Sequence, residues 1–489
     1  MACYIINMNM FNRFTNLNSI NASILIRGIK MTRGIIKVLS LLLAVMLVLS
    51  LAACGQGSTS RKSDQAPADA AKEPPKDASG EKAAESITIK FASNMPDQTN
   101  GMGMLEKKLA DDYMKENPNV KIEFELNDNE THRSKLKVYA ASNNMPDMYM
   151  NWADPSALIP MAKGGYSAEL DTAAYKDYNF LPGALEDCSF QDKLYGLPRN
   201  FDIWLMMYNK DIFEKNGVKI PATMSELEEA AKAFNAKGIT PCVMNGKDQW
   251  NQVVLLSDLI LRISGDQQLM PGIFEKKGSF AAEKNCVEAG DKLKALADSK
   301  FFQNGYLTAD YNTAQNLFIQ GKAAMYYIGS WELGMASNKD FPEEFKKNVR
   351  AAFFPTLDGA KDTSKDVIGR TGGIYSVNPQ SKVKDGAVKF LNYMFKPENW
   401  AKMAWQEGVC TPAQKWDTYM TGNETELQKD ITNIFATAKS TSGFMYAWKT
   451  TPAFQQDCLD LSSQLLTGKL TSVQYWQKVD ESLAKNPIQ

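Results

Sequence analysis

Four short stretches of the 489-residue chain set an indole beside carboxylates, amides or a guanidinium: "NWAD" (Trp152, Asp154), "RNFDIW" (Arg199, Asn200, Asp202, Trp204), "KDQWNQ" (Asp248, Trp250, Asn251) and "GSWE" (Trp331, Glu332). An indole face packs on C–H surfaces, and planar carboxylates or amides take paired hydrogen bonds from neighbouring hydroxyls. Together these groups suit a sugar ring, which has an apolar face and a rim of hydroxyls. The same types would also serve a glycoside hydrolase, which sets two carboxyl groups about 5 to 9.5 Å apart across the scissile bond. Asp154 and Asp202 are the candidate pair for that alternative, a secreted carbohydrate-active hydrolase. A surface adhesin without a small ligand is a third reading.

Other chemistries find fewer residues. The single histidine, His132, lies in the polar, predicted-helical "NETHRSKLKVYAA" and is expected at the surface, which leaves little for a Ser-His-Asp triad or a multi-His metal centre. Seven cysteines show no CxxC spacing; past the first 54 residues Cys188, Cys242, Cys286, Cys410 and Cys458 read as small buried apolar residues, at least one of them a free thiol. Neither a metal nor a cofactor is expected. "GMG" at Gly101 to Gly103 lacks the GK[ST] ending of a phosphate loop. Asp147 in "MPDMY" reads as a turn carboxylate accepting backbone N–H bonds, and Trp204, Trp400, Trp405 and Trp416 as packing residues.

The elements that must position these groups follow from periodicity. From Ser86 onward short apolar runs alternate with amphipathic segments: "SITIKFAS", "VKIEFEL" and "PDMYMNW" as strands, "GMLEKKLADDYMKEN" and "HRSKLKVYAASNN" as helices between them. Strands alternating with helices predict a mainly parallel sheet covered by helices, with loops at the strand C-terminal ends carrying the site. Asn94, leaving the first strand at that end, is a candidate on position alone. A second set starts after Asn200, with "WLMMYNK", "ITPCVMN" and "AAMYYIG" as strands and "TMSELEEAAKAFNAKG" as a capped helix. Helical stretches are expected near 250–264, 281–298, 311–320, 381–395 and 424–485. Two domains fit this length.

The N-terminal region speaks to location. Arg33 and Lys37 precede an apolar run closed by Ala52 and Ala53, the pattern of a cleaved signal peptide over residues 1–53 rather than of a membrane anchor. "MTRGIIKVLS" at Met31 looks like the natural start, so residues 1–30 read as an over-extended one. "LAAC", Leu51 to Cys54, resembles the lipobox of bacterial lipoproteins, in which a diacylglycerol group is attached to the cysteine, here Cys54. Residues 55–85 contain no Leu, Ile, Val, Met, Phe, Tyr or Trp and are expected to stay disordered, a tether reaching about 30 Å. Beyond residue 53, 50 Lys and Arg face 56 Asp and Glu, a net charge of −6 that argues against a nucleic-acid partner.

Six ordered blocks carry a family resemblance over residues 86–489: "NNMPDMYMNWADP", "YGLPRNFDIWLMMYNKDIFEKNGV", "FIQGKAAMYYIGSWEL", "GGIYSVNPQSKVKDGAVKFLNYM", "GVCTPA" and "LLTGKLTSVQYWQKV". In these the chain resembles the extracellular solute-binding proteins of bacterial ABC importers, specifically the sugar-binding, maltose-binding-protein-like group. The resemblance implies a two-lobed type II binding-protein fold in which each α/β lobe has a mainly parallel sheet flanked by helices, with a hinge between the lobes. It implies that 86–199 plus 374–412 form lobe 1 and 200–373 plus 413–489 form lobe 2, with "GRTGG", Gly369 to Gly373, as one crossing. It implies capture of a carbohydrate, an oligosaccharide, in the cleft by a non-enzymatic monomer. Delivery would be to ABC-transporter permease subunits at the extracellular face of the cytoplasmic membrane. By the same resemblance Trp331 and Trp250 are stacking aromatics, Trp152 and Asp154 an aromatic and an acidic sugar contact, and Asp202 a ligand-binding acid. The spacing at "NWADP" is one residue shorter than in the maltose-binding relative. Gly373 and Asn94 complete the candidate set.

Overall fold

The computed structural model describes residues 86–359, 362–443 and 445–487, all within the unit Lys82–Gln489. The expected signal segment, Cys54 and the tether lie outside the described residues. Thirteen strands occur among the described residues: β1 Ile87–Ser93, β2 Val120–Leu126, β3 Met148–Trp152, β4 Ser189–Phe190, β5 Lys193–Leu194, β6 Leu197–Pro198, β7 Phe201–Asn209, β8 Thr240–Val243, β9 Ala323–Gly329, β10 Val349–Ala352, β11 Asp366–Thr371, β12 Gly373–Val377 and β13 Ser440–Ser442. They build two sheets, β2-β1-β3-β12-β6 and β13-β11-β7-β9-β8, with β10 also paired to β7 and a small β4-β5 hairpin apart.

The expectation of mainly parallel sheets needs correction. β1 lies parallel to β2 and β3, but β12 enters antiparallel between β3 and β6. In the second sheet β7 runs antiparallel to β9, β10 and β11, and only the β8–β9 and β11–β13 pairs are parallel. The cause is connectivity. β6 and β7 are separated by two residues, as β11 and β12 are by one, so each pair continues in one direction from sheet to sheet instead of turning back through a crossover helix.

Each sheet has its own core. Phe91, Met148, Tyr375, Phe390 and Trp400 pack in the first. The second sheet is covered on both faces: Trp204 and Met206 of β7 point into one cluster, Ile203, Leu205 and Met207 into the other. Burial on both sides is why "FDIWLMMYN" reads as a continuous apolar run rather than an alternating one. The helix Trp400–Gln406 serves both lobes, placing Trp400 in the first core and Trp405 in the second. All five cysteines among the described residues are buried and unpaired.

Helix starts are set by side-chain caps. Asp128 accepts from the Glu130 and Thr131 amides at the head of Asn129–Ser142, and Asp154 accepts from Ala157 at the head of Pro155–Lys163, where proline occupies the first turn. Thr223 and Glu226 form a capping box at Met224–Ala236. The Asp128 and Asp154 caps set their helix N-termini next to the ends of β1 and β3. No helix of the described residues is long and apolar enough to cross a membrane.

Candidate functional site

The second lobe presents an aromatic cluster. Trp331 follows β9 in the turn Ser330–Ala336. Its ring lies edge-on to Trp204 at 5.1 Å and 5.9 Å from Trp250, and its Nε1–H donates to the Tyr311 hydroxyl at 2.9 Å. Trp250 in turn stands 6.4 Å from Tyr311. Trp204 is buried, as expected of a core residue, whereas Trp250, Tyr311 and Trp331 are half-buried. Gly329 makes this possible, since a Cβ there would sit 1.8 Å from the Trp331 ring. Aromatic faces fixed this way lose little entropy on binding.

The first lobe supplies the facing wall. Trp152 ends β3, with the Arg133 guanidinium 3.7 Å above its ring and His132 against its edge at 6.1 Å. His132 is buried, which corrects the expectation of a surface histidine. Its Nε2 lies 2.8 Å from the Met150 carbonyl oxygen, and desolvation pushes its pKa down to about 4. Asp154 is almost fully buried as a helix cap, accepts from Ser156, and takes Arg370 of β11 at 3.3 Å from the opposite lobe.

The lobes approach one another at several points. Arg370 reaches Asp154, Ser156 donates to Gln455 at 3.1 Å, and Asn100 bonds both the Lys339 amide and Asp340 at 3.2 and 2.7 Å. Asp248, two residues before Trp250, is pushed up to about 6, first by burial and, less, by the Glu130 carboxylate of the other lobe and by Asp310, against a hydrogen bond from Asn245. The aromatic cluster therefore faces the wall built by the 129–142 helix and the end of β3.

Three predicted residues sit at the crossings instead. Asp202 is 4% exposed, accepts from Asn200 through both oxygens at 2.7 and 2.6 Å, and is raised to about 6 by burial. Arg199 donates to Asn94 at 3.0 Å, and Asn94 donates onward to Asn129. Gly373 donates its amide to Asn200, and a Cβ on it would meet Arg199 Nε at 2.3 Å; one on Gly372 would meet Asp202 at 2.3 Å. Asn94, Asp202 and Gly373 thus form one polar network with Arg199 and Asn200 where the chain passes between sheets. Asp154 is engaged in a helix cap and Asp202 in this network. Asp147 accepts from the Lys90 amide at 2.8 Å and from Ser381, as its turn position suggested.

Sequence reasoning missed Arg133, Arg370 and Tyr311. The signal for Arg133 is its position one turn past the Asp128 cap; for Arg370, its place inside "GRTGG". Nothing in the local pattern marks Tyr311.

Comparison with known proteins agrees with this architecture. The family model for bacterial extracellular solute-binding protein matches residues 97–399. A multiple sugar-binding protein of Streptococcus mutans is 26% identical over 319 residues, covering 64% of this chain and 73% of its own. A solved structure from work on xylan utilization by the thermophilic bacterium Caldanaerobius polysaccharolyticus superposes with TM-score 0.73 at 29% identity, covering 81% of this chain and all of that one. A chitin oligosaccharide binding protein gives TM-score 0.73 at 23% identity over 82% of this chain and 98% of its own, a likeness of fold. The protein is built on the two-lobed type II binding-protein fold and belongs to the bacterial extracellular solute-binding protein family.

Proposed function

We propose that the protein captures a carbohydrate, specifically an oligosaccharide, in the cleft between its lobes and hands it to an ABC importer without altering it. The observation that carries this reading is the rigid cluster of Trp250, Tyr311 and Trp331 on one lobe, opposed by Trp152 and polar groups on the other. A sugar lying between them gains stacking from one side and hydrogen bonds from both. Contact with both lobes at once favours the closed arrangement, and closure removes water from those bonds. The sugar-binding description of the Streptococcus mutans relative supports the same ligand class. Trp331 and Trp250 are the stacking platform and Trp152 flanks it; Asp154, Asp202, Asn94 and Gly373 orient the walls and crossings. The 86–199 plus 374–412 and 200–373 plus 413–489 segments move as the two lobes. Lipidation of Cys54 and the tether behind it keep the monomer at the extracellular face of the cytoplasmic membrane, within reach of permease subunits.

A thermal-shift screen of the chain from Gly55 onward against neutral and acidic oligosaccharides tests this, with chromatography of the sugar afterwards. A ligand at about 100 times its Kd adds about 2.7 kcal/mol of stability, which moves the melting temperature by several degrees. The reading predicts such a shift with at least one sugar, recovered intact. Hydrolysed sugar would restore the enzyme reading, and no shift with any sugar would exclude carbohydrate capture.

A further inference from the structure

Two guanidinium groups beside Asp154 keep donors that no described residue takes. Arg133 is half-buried, its guanidinium lies flat on Trp152, and it makes no hydrogen bond or ion pair with any described residue. Arg370, facing it from the other lobe, spends one nitrogen on Asp154 at 3.3 Å, while its Nε is buried without a partner. Arg133 and Arg370 share the one buried carboxylate of Asp154. The further acids nearby, Glu130 and Asp187, are exposed, where solvent and salt weaken their pull. Asp154 attracts both guanidinium groups, yet one carboxylate leaves several of their donors without an acceptor. Guanidinium donors pair in parallel with a carboxylate's two oxygens, whereas a neutral hydroxyl rim gives no charge compensation.

We infer that Arg133 and Arg370, one from each lobe, form a carboxylate-binding subsite, and that the oligosaccharide carries a uronic acid residue there. This rests on the carbohydrate reading above and narrows it. Arg133 also covers one face of Trp152, so neutral-ring stacking falls to the Trp250 and Trp331 side and the charged residue to the Trp152 side. An anion bridging the two arginines would itself draw the lobes together.

The test is calorimetric titration with matched pairs: neutral xylo-, malto- and chito-oligosaccharides against glucuronic-acid-branched xylo-oligosaccharides and oligogalacturonates, the latter two also as methyl esters. A uronate-bearing sugar should bind at least about tenfold tighter than its neutral or esterified counterpart, as expected for charge-assisted bonds. Its affinity should fall with added salt, and Arg133→Gln should remove most of the preference while leaving the melting temperature near that of the parent. Equal binding of acid and ester, or a preference that survives Arg133→Gln in a folded variant, overturns the inference. Binding of neutral sugars alone overturns it too while leaving carbohydrate capture standing, whereas failure of every sugar overturns the parent reading. Since the ester comparison uses the unaltered protein, it decides the matter even where the variant folds poorly.

Discussion

Glu332, beside Trp331, is 4% exposed and accepts from the Gln315 amide through both oxygens at 3.1 and 2.9 Å. Burial raises its pKa from 4.5 to about 8. A carboxyl raised on folding keeps its full contribution below the unfolded pKa and loses it as pH climbs toward the folded one. The loss runs from pH 4.5 to about 8 and approaches about 4 to 5 kcal/mol once the group is forced to ionise. Glu332→Gln should therefore melt close to the parent at pH 5 and several degrees above it at pH 9, read by circular dichroism; a gap independent of pH would contradict the buried, protonated carboxyl. His132 is the counterpart in the first lobe, a basic group kept neutral by burial. Its polar neighbours suggested the surface, but a spacing of four sets it above Leu136 on the inner stripe of its helix, and those two are the helix's buried residues. Composition over a window hid what periodicity alone would have placed.

At the scale of elements, most of the framework was legible because each piece carried its own signal. The first three strands and their two helices showed apolar runs bounded by proline, asparagine and caps, and lie where expected, as do β7, β8 and β9. Short strands β6, β10, β11 and β13 were not legible, since they carry no comparable apolar run of their own and gain their pairing from distant partners. The turn after β9 combines both situations. "GSW" is readable as a motif, yet the reason for glycine appears only in three dimensions, where the indole folds back over the Gly329 Cα. The Gly329→Ala variant should keep the fold, because φ of −84° suits alanine, while displacing the Trp331 ring. Its sugar affinity should fall at least about tenfold, within what loss of one aromatic contact explains. Unchanged affinity in calorimetry would show that the ring position is immaterial to the ligand.

For the whole molecule, two lobes with separate cores are joined where the chain passes from β6 to β7 and from β11 to β12. The residues assigned by sequence to the ligand divide between these regions. Trp152, Trp250 and Trp331 stand on the opposed walls, while Asn94, Asp202 and Gly373 lie in the network at the crossings. Asp202 accepts from its sequence neighbour Asn200, while Gly372, from the other crossing, is brought against it by folding. Asn100 of the first lobe also donates to Asp340 of the second, a bond between the lobes that no ligand makes.

The most direct test of that account is isothermal titration calorimetry of the parent and Trp331→Ala against the sugar giving the largest thermal shift. The account predicts one site per chain in the parent, with the variant folded and its binding lost or weakened by at least about tenfold. Full affinity in the variant would remove the aromatic cluster from the site and contradict the account at its centre.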